Sequence, residues 1–341
     1  MKTKIRSLIG WLCSRYRVFT RVPKGLLIIV KQQVWVRLTY INNWFYNKIV
    51  NKYWMNLGKF NQYDPEPITW DLPLSRPSKR AKPKLLLVTP SLNQGAYLES
   101  TIRSVMTQGY ENLLYVIMDG GSTDGSIEVI RQYEKHLHAW VSSKDDGQTA
   151  AINAGFELGG AMLKSDDLMA WINADDVFAP GAFNFVAQYF AQNPDVDVVY
   201  GNRIVIDCED QEVGRWVLPP HSNHTIRGVD YIPQETMFWR KRIWDAAGGM
   251  DMRYRFAMDW DLICRFVDQG ARIVRLPHFL AAFRVHPTQR TAREIHELGA
   301  NEMEMIRNRM LPGKADYLKI NRRILMQASI YSRLLEMGLR L

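Results

Sequence analysis

Apolar runs of strand length recur through the middle of the chain, each stopped by turn residues and followed by a stretch of helical period. Lys84–Thr89 (KLLLVT) and Leu113–Met118 (LLYVIM) come first. Ala139–Ser142, Leu168–Ile172 and Val196–Tyr200 extend the series, with Thr149–Leu158 and Pro180–Gln192 as helices between or after them. Strands alternating with helices predict an α/β fold, a mostly parallel sheet flanked by helices. Arg203–Val217 has the pattern of a hairpin, and 292–341 reads as a charged helical extension. Ahead of the first strand, Pro65, Pro67, Pro73, Pro77 and Pro83 predict an extended linker over 64–83. The chain thus divides into an N-terminal segment 1–63, the linker 64–83, a domain over 84–291 and the extension 292–341.

The N-terminal segment has its own pattern. Leu27, Val30, Val34, Leu38, Ile41, Phe45 and Ile49 recur at helical spacing, with Lys31, Arg37, Asn42 and Asn43 between them, which predicts an amphipathic helix. Its longest apolar run, Leu26–Val30, falls far short of the roughly 20 residues that span a bilayer, and 1–13 lacks a signal-peptide core and cleavage site. Charge sharpens this reading: of 44 Lys and Arg, twelve lie in 1–63, where there is no acid, so the other 32 face all 35 Asp and Glu. With Trp11, Trp35, Trp44 and Trp54 available for an interface, the segment is expected on an anionic membrane surface, or packed on its own domain or on a second copy. No nucleic-acid recognition motif accompanies the charge. Three widely spaced cysteines, Cys13, Cys208 and Cys264, favour a reducing, cytoplasmic location, here peripheral on the inner face of the membrane.

Ligands of parallel sheets bind beyond the carboxyl ends of the strands, and polar strings stand there. Pro90-Ser91-Leu92-Asn93 follows the first apolar run, "DGGSTDGS" from Asp119 the second, "KDDGQ" from Lys144 the third and "NADD" from Asn173 the fourth. "DGGSTDGS" lacks the lysine of a P-loop and the glycine spacing of a dinucleotide site. It reads as a tight turn ending in a helix cap, or as a polar strand end whose Asp119 accepts hydrogen bonds from a base or ribose. Asp145 and Asp146 precede a helix, whose positive end favours an acid by about 0.3–1 kcal/mol. The adjacent Asp175 and Asp176 would repel each other unless a cation intervened, and Mg²⁺ suits one or two carboxylates plus substrate phosphate oxygens. In "AMDWDL", Asp259 and Asp261 open a helix, as a cap or as a base for an attacking hydroxyl. The helix end would lower the pKa of such a base, whereas burial and a diphosphate would raise it. A single histidine, His286, ends "FRVHP".

Taken in order, "PSLNQGAYLESTIRSVMTQGY", "DGGSTDGS", "DDGQTAAINAGF", "WINADD", "PQETMFWRKRIWDAAGGMD", "MDWDL" and "FRVHP" resemble the inverting family 2 glycosyltransferases, which have the Rossmann-like GT-A fold, over about Lys84–Thr291. The resemblance implies that Ser91, Asn93, Asp119 and Asp146 surround the base and ribose, with Gln148 nearby. The family's "DXD" element maps to Asn173-Ala174-Asp175, followed by Asp176. Asn173 replaces the first acid and is expected to contact ribose or metal-bound water. Asp175 or Asp176, with His286, would hold Mg²⁺ or Mn²⁺. Asp259 matches the catalytic base, although Met258 stands where an acid is often found. Ile152 replaces a common arginine, so neutralisation of the leaving group falls to the metal and to Arg284 or Arg290. Gln234, Glu235 and Arg284 are expected in the donor or acceptor pocket.

The resulting expectation is an enzyme, a metal-dependent, inverting hexosyltransferase. It would move a sugar from a nucleotide diphosphate sugar, UDP-linked, to a saccharide or lipid-linked saccharide acceptor in surface polysaccharide synthesis. The rivals are a catalytically decayed membrane-associated scaffold and a sugar-phosphate nucleotidyltransferase. The latter needs a Gly-rich, Arg-containing loop after the first strand, where this chain has "TPSLNQGAY".

Overall fold

The structure, a computed structural model, describes residues 60–73, 82–290, 294–311 and 317–339. The expected amphipathic helix with its tryptophans, Cys13 and residues 74–81 of the expected linker lie outside these. Among the described residues no helix is long and apolar enough to cross a membrane.

The strands are β1 (Glu66–Pro67), β2 (Leu85–Ser91), β3 (Leu113–Asp119), β4 (Ala139–Ser142), β5 (Leu168–Trp171), β6 (Val177–Phe178), β7 (Val198–Ile206), β8 (Gln211–Trp216), β9 (Phe238–Arg240) and β10 (Ile273–Arg284). They form one sheet in the order β1-β8-β7-β9-β5-β2-β3-β4, with β10 paired to β7 and β6. β4, β3, β2 and β5 are mutually parallel, and β9 is inserted antiparallel between β5 and β7. Every residue of β2 and β5 is buried, as a sheet covered on both faces requires, so these strands read as unbroken apolar runs rather than alternating ones.

The helices are α1 (Gly95–Met106), α2 (Ser126–Tyr133), α3 (Gln148–Gly160), α4 (Ala182–Gln192), α5 (Asn223–Ile226), α6 (Lys241–Ala247), α7 (Met258–Asp268), α8 (Ala300–Met310) and α9 (Tyr317–Glu336). α3 sits close on β2 because glycines face it. A Cβ on Gly155 would come within 2.6 Å of Val88, and one on Gly159 within 2.4 Å of Leu86. This close seat sets the height of Gln148, the first residue of the helix.

Two stretches differ from the sequence reading. Within the expected linker, β1 pairs antiparallel with β8, and just before it Phe60 stacks on Trp216 and Phe283, each at 5.4 Å, so prolines at an edge strand are accommodated rather than excluded. The run expected at Val196–Tyr200 and the first arm of the expected hairpin are one strand, β7, which continues without a turn to Ile206. The helical extension is not a separate layer: Ile306, Met310 and Ile324 belong to the main core.

Gly159→Ala tests the α3–β2 seat. A methyl forced against Leu86 in a packed core should cost about 1–3 kcal/mol, read as a lower midpoint in urea denaturation; an unchanged midpoint would show that the contact is loose.

Candidate functional site

The parallel strands finish together, with Ser91 opposite Asp119 and Asp119 opposite Ser142 in register, so their loops share one edge of the sheet. Asp119 is 2% exposed and builds that edge. Its Oδ2 accepts from Gly121 N (3.1 Å), Ser122 N (2.9 Å) and Ser142 Oγ (2.7 Å), and its Oδ1 accepts from Ser122 Oγ. A carboxylate offers about four acceptor positions, so little capacity remains beyond the second one on Oδ1. Asn93 adopts a left-handed φ of 52°, which asparagine tolerates, and locks the first two loops together. Its N–H donates to Ser122 Oγ (2.8 Å) and its Oδ1 accepts from Thr123 N (2.9 Å). The Ser91 hydroxyl is buried and finds no hydrogen-bond partner among the described residues. In "KDDGQ" the two acids separate: Asp145 lies against Gly120, where a Cβ would meet its Oδ2 at 3.1 Å, whereas Asp146 is exposed.

The end of β5 carries the second half of the site. Gln148 Nε2 donates to Asn173 Oδ1 (2.7 Å), and Asn173 Nδ2 donates to Asp176 Oδ2 (3.3 Å). Asp176 is 1% exposed, and its Oδ1 accepts the backbone N–H of Arg284 on β10 (3.0 Å). Burial pushes the Asp176 carboxyl well above its usual range. Asp175 and Glu235 push it further, against the Arg284 N–H and the Arg203 charge. Biasing the buried member toward its neutral form relieves the repulsion between the two neighbours.

Asp175 turns the other way. Its Oδ2 stands 3.0 Å from His286 Nε2, and His286 Nδ1 is 2.9 Å from Thr288 Oγ1, with Tyr97 packed at 4.6 Å. Among the described residues no group of three or more His, Cys, Asp or Glu converges as metal ligands. Of the two acids expected as alternatives, Asp175 stands beside His286, whereas each oxygen of Asp176 accepts a bond from Arg284 N or Asn173 Nδ2. The pair of Asp175 and His286 fits a divalent cation. Octahedral ligands at about 2.1 Å lie about 3.0 Å apart when adjacent, and such an ion takes its other ligands from phosphate and water. A hydrogen bond from Nδ1–H to Thr288 would fix the buried ring with Nε2 toward Asp175.

The three residues expected in the donor or acceptor pocket are all buried. Arg284 is 1% exposed, its guanidinium donating to Asp175 O (2.7 Å), Asp207 O (2.9 Å) and Asp210 Oδ1 (2.5 Å) while stacking on Tyr97; it clamps the strand-end loop to the β7–β8 turn. Arg290, its side chain 35% exposed, pairs with Glu294 (2.6 Å) and also donates to Gln148 Oε1 (3.2 Å). Gln234 is buried and donates to Trp171 O (2.8 Å). Glu235 is buried in a two-pronged pair with Arg203, at 2.6 Å each, and Arg203 is sandwiched between Trp216 (4.7 Å) and Phe283 (4.3 Å).

Arg203 and Asp230 are residues the sequence reading missed. Arg203 lay in a predicted hairpin with nothing local to mark it, and Asp230 lies in a loop without a motif. Asp259 begins α7, its Oδ1 accepting Trp260 N (2.8 Å). The residue as a whole is half-buried, and surrounding protein desolvates its carboxyl and raises its pKa to about 6, Glu235 adding to the rise while the Trp260 N–H and Arg203 oppose it. Asp230 is pushed up by the same desolvation and by Asp259. Asp176, Asp230, Glu235 and Asp259 therefore converge electrostatically on one arginine, Arg203.

Residues 86–259, just over half of the chain, match the model of Glycosyl transferase family 2. A PGL/p-HBAD biosynthesis glycosyltransferase of Mycobacterium tuberculosis is 24% identical over 206 residues, 59% of this chain and 77% of that one. The putative teichuronic acid biosynthesis glycosyltransferase TuaG of Bacillus subtilis is 34% identical over 93 residues, 25% and 37% of the two chains. Among solved structures, S. aureus TarS 1-349 in complex with UDP-GlcNAc superposes with a TM-score of 0.54 at 12% identity, covering 74% of this chain and 72% of that one. The mannosyltransferase PcManGT from Pyrobaculum calidifontis, in complex with GDP-Man and Mn2+, gives 0.52 at 16% identity, covering 77% and 72%. The fold is that of GT-A glycosyltransferases.

Arg203→Met should cost roughly 3–5 kcal/mol by leaving Glu235 buried and unpaired, and adding Glu235→Leu should recover most of that loss in urea melts. Additive losses in the double variant would show that the pair is not the unit of stability.

Proposed function

The chain belongs to glycosyl transferase family 2, and from that premise we propose that it moves a sugar from a nucleotide diphosphate sugar to an acceptor hydroxyl with inversion at the anomeric carbon. The observation that carries the reading is Asp259: a carboxyl on a half-buried residue at the start of α7, with a pKa raised to about 6. Such a group is ionised at neutral pH yet basic enough to take a proton. Asp259 accepts the proton of the acceptor hydroxyl while its oxygen forms a bond to the anomeric carbon. The bond from that carbon to the diphosphate breaks on the opposite face, and its electron pair leaves with the phosphate oxygen. A single displacement needs no covalent intermediate.

Asp175 and His286 would hold Mg²⁺ or Mn²⁺, which when bound supplies charge neutralisation for the departing diphosphate. Arg290, which pairs with Glu294 and donates to Gln148, adds to that neutralisation in place of Arg284. Ser91, whose buried hydroxyl finds no partner among the described residues, and the loops built around Asn93 and Asp119 receive the nucleoside, with Gln148 and Asn173 beneath the sugar–phosphate link. TarS with UDP-GlcNAc and PcManGT with GDP-Man and Mn2+ support a nucleotide sugar and a divalent metal. The UDP form remains part of this proposal. The names of the teichuronic acid and PGL relatives support a surface saccharide or lipid-linked acceptor. The basic stretch 1–63 supports an acceptor met at the inner face of an anionic membrane.

Asp259→Asn should abolish nucleotide release from a panel of UDP- and GDP-sugars with Mn²⁺ while leaving UDP binding within about twofold. The wild-type rate should rise through pH about 6 as Asp259 ionises. Because the folded-state pKa lies above its ordinary 3.8, the stability Asp259 contributes is full below that value and is lost as pH rises through about 6. The Asn variant should therefore melt higher than wild type at pH 7.5. Retained turnover would remove Asp259 from the role. Removing 1–59 should abolish sedimentation with phosphatidylserine vesicles; undiminished sedimentation would assign the segment another task.

A further inference from the structure

α7 starts without a side-chain cap of its own: its N-cap residue is Ala257, which has no oxygen to offer. Glu302, a residue of α8 that is 5% exposed, binds the backbone of that N-cap residue and of the two residues before it, while the Trp260 N–H inside the helix goes to Asp259 itself. The Glu302 carboxylate accepts from Arg255 N (2.9 Å), Phe256 N (2.8 Å) and Ala257 N (2.9 Å), three consecutive amides ending two residues before Asp259.

The same helix holds the other side of Asp259. Asp261 Oδ1 accepts from Arg309 Nη1 (2.6 Å), its Oδ2 accepts from Arg265 Nε (2.8 Å), and the Arg307 guanidinium lies 5.5 Å over the Trp260 ring. Gly299, just before α8, lies flat against Phe256, where a Cβ would meet the ring at 2.7 Å. All these gripping residues except Arg265 come from 299–309, and every one lies beyond residues 86–259 that match the family.

We propose that Glu302 is a positioning residue for the catalytic carboxylate: it holds 255–257, and with them the start of α7, so that Asp259 faces the acceptor. The inference rests on Asp259 being the base. Charge-assisted bonds to three amides are strong enough to determine the path of such a segment, and the Glu302 carboxylate held there places negative charge at the entry to α7, which favours the protonated form of a neighbouring acid. At Asp259 burial outweighs the two backbone N–H groups that favour its ionised form. The charged groups facing Asp259 are Arg203 from β7, Glu235 from the turn before β9 and Asp230 from the loop after α5. α7 itself adds Asp261 with Arg265, and α8 adds Glu302, Arg307 and Arg309.

The test uses the full chain and whichever nucleotide sugar of the UDP- and GDP-sugar panel supports turnover, with UDP and Mn²⁺ as the binding probe. Glu302→Gln should lower kcat at least tenfold, leave UDP affinity within twofold, and move the acid limb of the pH–rate profile to lower pH. Gly299→Ala presses on the same segment without changing charge, and should lower kcat with UDP affinity kept and the acid limb in place. Wild-type kcat in Glu302→Gln, or kcat and UDP affinity falling together with the limb unmoved, would overturn the proposal. Should Glu302→Gln fail to fold, Gly299→Ala decides by itself: a selective fall in kcat upholds positioning and an unchanged kcat overturns it. Turnover surviving in Asp259→Asn would instead overturn the underlying assignment of the base.

Discussion

The site depends on one buried carboxyl. Asp176, at the turn leaving β5, accepts the backbone N–H of Arg284 on β10 and the amide of Asn173, and so ties the end of one strand to another that arrives more than a hundred residues later. Because successive side chains of the turn point in different directions, holding Asp176 inward turns Asp175 outward, where β10 has already delivered His286. The Arg284 side chain closes the arrangement from beneath by binding Asp175 O and Asp210. An exposed Asp176 would leave Asp175 with no defined partner, and the pair suited to a cation would not be preorganised.

Around this anchor the charge balance is uneven by construction. Asp176, Asp230, Glu235 and Asp259 face a single arginine, whose guanidinium is fixed between two aromatic rings and bonded twice to Glu235. Arg203 stabilises the group as a whole but cannot neutralise every member, so the carboxyls farthest from direct pairing rise in pKa. Such crowding of carboxyls costs stability, the usual opposition between a stable fold and a group of perturbed acids of the kind that working sites hold.

Several candidate residues were picked out because their chemistry stands at predictable places. Asp119, Asn173, Asp175 and Asp259 each follow an apolar run or open a helix, and the order of the motifs added Gln148 and His286. Arg284, Gln234 and Glu235 were picked out as polar residues beside motifs; what no motif carries is that their donors and acceptors are taken by Asp175 O, Trp171 O and Arg203. Asp145 and Asp146 are equivalent in sequence, yet only Asp145 lies against Gly120.

The sequence by itself determined the alternation of strands and helices, the edge of the sheet where the polar loops gather, and the family, because apolar period, turn residues and motif order are local properties written in neighbouring positions. The tertiary structure alone decided which of two adjacent acids faces inward, that an arginine from β7 sits among four carboxylates, and that Glu302 holds the entry to the helix bearing Asp259. Those outcomes depend on which distant donor reaches a given oxygen first and on how much protein surrounds it, and neither quantity is carried by any short stretch of chain.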